Sequence, residues 1–219
     1  MEVKMDSKKI SYSAAFSFGW DTLKNNFPFI IGVMVAYGLL VSVPFSVAMY
    51  YRDKSLILYL LATLADMTVS VIVQMGLIKI LLAFYDAKKT RFGDLFSCAG
   101  LFFKYFFGSI LYKLIVALGT LLLIVPGVIW LIQFSFYAYL IVDKAAGPIE
   151  ALKQSAAVTK GVKWQLFIFG VLFFCINILG ALALLVGMLI TLPLTMLAAV
   201  FVYRKLLAST QIPPPAVSA

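Results

Sequence analysis

The chain has 219 residues, of which 63% are hydrophobic and only 12% charged, against about 45–50% apolar and ~25% charged for an ordinary soluble domain. That much apolar surface needs lipid as its solvent and excludes a water-soluble fold of this size. The net charge of +9 sits in short clusters between long apolar runs, so nucleic acid is excluded as a partner and anionic lipid head groups are favoured.

The polar leader contains Glu2, Asp6 and Asp21, which argues against a cleavable signal peptide. Within it Phe16, Trp20 and Leu23 recur at helical spacing, predicting a short amphipathic helix that lies in the membrane interface. A span of ~30 Å of hydrocarbon needs about 20 helical residues, and the first such stretch runs from Phe27 to Met49. After the aromatic and charged loop Tyr50-Tyr51-Arg52-Asp53-Lys54, a longer second span runs from Leu56 to Tyr85.

Between Tyr105 and Val142 the only charge is Lys113, and between Trp164 and Tyr203 there is none. Each stretch holds two spans and a tight turn. Pro126 and Gly127 are expected to break the first, and the segment from Gly187 to Pro193 the second, because proline cannot continue the helical hydrogen-bond ladder; Pro44 is a further candidate break. Shallow hairpins that dip in without crossing are the alternative for spans four and six.

Orientation follows from the basic residues. Lys4, Lys8, Lys9 and Lys24 precede span one; Lys88, Lys89, Arg91 and Lys104 separate spans two and three. Lys144, Lys153, Lys160 and Lys163 separate four and five, and Arg204 and Lys205 follow six. The opposite loops carry only Arg52 and Lys54, which places both termini in the cytoplasm.

The chain also reads as a threefold repeat, over about 10–86, 90–144 and 147–206, each unit a short amphipathic helix followed by a helical hairpin. Aligning Ala15-Phe16, Leu95-Phe96 and Ala151-Leu152 brings Lys24, Lys104 and Lys160 close to register. Asp86 and Asp143 close the preceding helices. In the third copy Ile149, Leu152 and Ala156 form the expected apolar face, with Pro148 in the first helical turn. The expected fold is all-α, six transmembrane helices in one domain over 1–210, with a disordered Pro-rich tail at 211–219.

Candidate sites are few. There is no histidine, which removes histidine-based metal sites, general bases and nucleophile pairs. No cofactor, metal or catalytic residue is expected. Cys98 and Cys175 are expected to be reduced and inert. An ionised carboxylate inside a span costs about 2.5–3.5 kcal/mol on insertion scales, which singles out Asp66. Counting 11 residues inward from Ser55 and from Phe102 places Asp66 and Lys113 both near the midplane, so an Asp66–Lys113 ion pair between spans two and three is expected. It serves as a structural clamp or lies on a solute or proton path; the other reading is a neutral Asp66 hydrogen-bonded to a neighbouring span. Gln74, Gln133 and Asn177 read as interhelical hydrogen-bond glue, and Lys79 as a snorkelling cation. Trp20, Lys24, Lys104, Lys153, Lys160, Lys163 and Trp164 are candidate interfacial lipid contacts.

The run Pro126-Gly127-Val128-Ile129-Trp130, then Ile149-Glu150-Ala151-Leu152-Lys153-Gln154-Ser155, then Lys160-Gly161 and Trp164, resembles the YciC-like inner-membrane proteins. It also resembles the membrane domain that precedes some glycerophosphodiester phosphodiesterases. The resemblance implies a prokaryotic cytoplasmic-membrane protein of six helices, without the phosphodiesterase chemistry. The expected function is non-enzymatic: anionic-lipid interaction or a membrane accessory or scaffold role. The alternative is a small-solute transporter or permease subunit with Asp66 and Lys113 in its pathway.

Overall fold

The computed structural model describes residues 9–183 and 187–210; the expected tail at 211–219 lies outside them. The described residues are helical, without strands, and six stretches are long and apolar enough to cross a membrane. Ser11 starts α1 (Tyr12–Asn25) by accepting from the Ala14 amide, the usual relief for an unpaired first-turn donor. Then follow α2 (Phe27–Tyr51) and α3 (Leu56–Tyr85), the latter capped by Ser55. Two 3₁₀ segments, Phe92–Phe96 and Ala99–Leu101, lead into α4 (Phe102–Leu122).

The fourth span is two helices, α5 (Ile124–Gln133) and α6 (Tyr137–Lys144). Ala145 then takes a left-handed conformation (φ 51°), which turns the chain back into α7 (Pro148–Thr159). A hairpin of α8 (Lys163–Leu182) and α9 (Met188–Ala208) closes the fold.

Each short element packs mainly on a hairpin other than the one it leads into. The backbone of Leu95 lies so close to Gly76 of α3 that no Cβ would fit there. On α7, Ala151, Leu152 and Val158 are buried, and Pro148 approaches Gly108 of α4. The first helix joins the last: a Cβ at Gly19 would lie 2.8 Å from the Leu194 carbonyl oxygen. Tyr12 also stacks on Phe169, and Phe18 meets both Tyr85 and Phe201.

Each short helix turns one face to the bundle and leaves the other outward. Ala15, Gly19 and Leu23 form the buried side of α1, while Trp20 is 51% exposed. On α7 the buried side carries Ser155 and Thr159, whereas Ile149 is exposed. Both helices are wedged against the bundle by one face, because Gly19 and Ser155 allow closer approach than the large apolar residues beside them.

The helix breaks differ from expectation. Pro44 lies inside an uninterrupted α2 and Pro193 inside α9; proline persists in membrane helices where neighbours and back-bonding hydroxyls satisfy freed groups. The turn between α4 and α5 is at Leu123, which is extended (φ −162°, ψ 145°). Pro126 follows in the first turn of α5, where a missing amide costs nothing, and Gly127 lets α5 close onto Thr120.

Hairpin tips differ in chemistry. The α2–α3 tip is polar, with the Lys54 ammonium 3.3 Å from the Tyr50 ring centroid. The α4–α5 tip exposes Leu121, Leu122, Leu123, Ile124 and Val125.

Candidate functional site

The C-terminal ends of α3, α6 and α9 meet at an ionic cluster. Arg204 donates from Nη2 to Asp86 Oδ2 at 2.7 Å and from Nη1 to Asp143 Oδ2 at 2.9 Å. Tyr203 donates its hydroxyl to the same Asp143 oxygen at 3.0 Å. Lys88 and Lys144 add contacts at 3.3 and 3.6 Å from the wetter side. The three central side chains are only 12–24% exposed. A guanidinium suits this position because its planar fork reaches two carboxylates at once. It also offsets three helix C-termini, each carrying partial negative charge.

The gap between α5 and α6 forms a second polar point. Its free Gln133 carbonyl accepts from the Ser155 hydroxyl at 3.0 Å, with the Thr159 hydroxyl at 3.1 Å. The Phe136 amide donates to Ser155 Oγ at 3.1 Å. Both hydroxyl residues are fully buried. Lys163 Nζ donates to Gln133 Oε1 at 2.6 Å. α7 thereby supplies the hydrogen bonds that the broken span gives up, as the low dielectric requires.

The expected Asp66–Lys113 pair is absent among the described residues. The Asp66 carboxylate accepts from Ser70 at 3.4 Å, and Lys113 is exposed on α4. The equal-depth count fails because α3 has 30 residues, about 45 Å, well beyond a ~30 Å core. Asp66 lies about 30 Å along α3 from Asp86. Lys113 lies only ~7 Å beyond Gly108, whose backbone faces Ile141, two residues before Asp143.

Among the interfacial candidates, Trp20, Lys24, Lys153, Lys160 and Trp164 are exposed. Lys104, also exposed, donates to the Ala145 carbonyl at 2.9 Å, and the half-buried Lys163 holds Gln133. Of the amides, Gln133 and Asn177 bridge elements, Asn177 donating to Thr195 Oγ1 at 3.3 Å. Cys98 is buried and Cys175 exposed, both free. No group of three or more potential metal ligands occurs among the described residues.

The sequence marks Asp86 and Asp143 as helix ends and Arg204 as a flanking charge. It does not join them, although the three positions follow equivalent apolar helices. Ser155 enters the sequence reading only as the end of a motif run and Thr159 not at all, because small hydroxyl residues on an amphipathic helix carry no strong signal.

An apolar cavity of about 500 Å³ lies between α5, α6, α8 and α9, lined by residues such as Leu131, Tyr139, Phe167 and Phe173. Asp66 and Lys113 are not part of its wall.

Fold and cluster together define a polytopic helical membrane protein whose helix ends are fastened by an arginine–aspartate latch. Residues 96–219, more than half of the chain, match the family model described as Domain of unknown function (DUF7847), and the chain belongs to that family. Neither a curated protein nor a solved structure matches it.

Proposed function

We propose that this is a non-enzymatic protein of the prokaryotic cytoplasmic membrane, built from three short-helix-plus-hairpin units, whose basic end faces the cytoplasm and holds anionic lipid. The pairing of charges carries this reading. Among the described residues the acids Asp86 and Asp143 are spent on Arg204, and Asp94 caps the Arg91 amide at 2.8 Å. Meanwhile, among the described residues, no carboxylate lies within ion-pair distance of Lys24, Lys89, Arg91, Lys153 or Lys160, and all five are exposed. Each such cation near an anionic surface contributes roughly 1 kcal/mol of attraction.

Support for the repeat reading comes from the order of elements and from the convergence of Asp86, Asp143 and Arg204, one from the end of each unit. The resemblance to YciC-like proteins supports the choice of membrane, and the basic loops support cytoplasmic termini. The permease alternative draws less support, since Lys113 faces outward and neither Asp66 nor Lys113 lines the apolar cavity between α5, α6, α8 and α9.

The test is lipid retention. Protein extracted in a mild detergent and analysed by native mass spectrometry carries phosphatidylglycerol or cardiolipin in excess of their share of the source membrane. Retained lipid that mirrors the membrane composition would sink the reading.

A further inference from the structure

The turn after α3 builds a cleft beside the arginine–aspartate latch. Ala87 adopts φ 52°, throwing Lys88 and Lys89 across the end of α3, and Arg91 follows on the extended residue before the first 3₁₀ segment. The resulting cavity, about 510 Å³, is lined by these three cations together with Asn26 and Thr90, while Phe29 and Phe84 complete the wall. Its size falls within the range of small-molecule sites, about 300–1,000 Å³.

The nearby acids do not neutralise it. Asp86 gives the same oxygen to Arg204 at 2.7 Å that Lys88 approaches at 3.3 Å. Asp94 is committed to the Arg91 backbone. Lys89 and the Arg91 guanidinium have no carboxylate partner among the described residues. Three rings meet on the apolar side, Phe29 tilted against Phe92 at 5.0 Å and edge-on to Phe84 at 6.1 Å.

We infer that this cleft is a specific site for the phosphodiester head group of an anionic phospholipid. Lys88, Lys89 and Arg91 hold the phosphate, Asn26 and Thr90 supply neutral hydrogen-bonding groups, and Phe29 and Phe84 receive the start of the acyl chains. The chemistry is matched on both sides: a phosphate needs converging donors of positive charge, and a chain-bearing ligand needs the aromatic wall that a free anion would leave unused. The site rests on the anionic-lipid reading above and narrows it to one place.

The test uses the full chain in phosphatidylcholine nanodiscs, titrated with short-chain phosphatidylglycerol and, separately, with inorganic phosphate. Wild type is compared with Lys88→Gln/Lys89→Gln/Arg91→Gln and with a control, Lys153→Gln/Lys160→Gln, each first shown to be folded by its helical circular dichroism. The cleft variant loses at least about tenfold more affinity for phosphatidylglycerol than the control, whose two removed cations belong to the wider basic face and weaken binding only diffusely, and phosphate fails to displace the lipid.

Equal losses in both variants, or none in the cleft variant, would overturn the site while leaving a diffusely basic, lipid-binding face. Displacement by phosphate at comparable concentration would overturn the lipid assignment in favour of a small-anion site. If wild type itself shows no preference for phosphatidylglycerol over phosphatidylcholine, both this site and the wider lipid reading fall.

Discussion

Replacing Arg204 by Met removes the one cation that joins three helix ends. Two charge-assisted hydrogen bonds are lost, at 2.7 and 2.9 Å, each worth about 1.5–3 kcal/mol. Asp86 and Asp143 are left facing each other, although they keep Lys88 and Lys144. Full burial would make one-sided removal cost about 3–5 kcal/mol; with 12–24% exposure the expected loss is about 3 kcal/mol. Unfolding by SDS in mixed micelles, followed through tryptophan fluorescence, measures it. The triple variant Arg204→Met/Asp86→Asn/Asp143→Asn should recover at least half, because the stranded charges are gone, while the amide oxygen introduced at position 143 would still accept from Tyr203. A single-variant loss below about 1 kcal/mol, or a triple variant no better than Arg204→Met alone, refutes the latch.

Arg204→Lys should fall between wild type and Arg204→Met in the same assay, since one ammonium cannot fork to both carboxylates. Gly76→Ala forces a Cβ into the Leu95 backbone and should destabilise by about 2–4 kcal/mol, whereas Gly38→Ala meets nothing and should be neutral or slightly stabilising in parallel melts. Ser155→Ala strands the Phe136 amide and weakens the hold on the Gln133 carbonyl, costing about 1–3 kcal/mol; Ser155→Thr retains the hydroxyl and separates hydrogen bonding from packing. With Cys98 and Cys175 replaced by Ser, an impermeant maleimide applied outside intact cells should label Asp53→Cys but neither Lys89→Cys nor Ile124→Cys, the first being blocked by sidedness and the second by immersion of an apolar tip.

The long helices are legible in the residues because lipid imposes a simple rule: Leu56 to Tyr85 is apolar but for a few polar residues such as Asp66, Gln74 and Lys79, and the structure gives α3 those same bounds. Breaks are less legible. Proline marks where a hydrogen bond is missing, yet Pro44 and Pro193 sit within helices and Pro126 opens one, so the turns fall where extended or left-handed backbone is accommodated, at Leu123 and Ala145. The ion pairing went astray for a geometric reason. Residue counts convert to depth only when helices share length and tilt, and α3 exceeds α4 by nine residues. The partners that matter, Asp86, Asp143 and Arg204, come together from three hairpins, and a linear pattern does not say which hairpin ends converge.

The seating of α1 against α9 has a consequence for biosynthesis. Some 180 residues separate Gly19 from the Leu194–Ala198 stretch it contacts, so at roughly 5–20 residues per second the first helix waits about 10–35 s for its partner to leave the ribosome. Until then Phe16 and Phe18 must shelter at the bilayer surface or against insertion machinery, and a nascent chain arrested before α9 would present an orphaned amino-terminal helix to quality-control proteases.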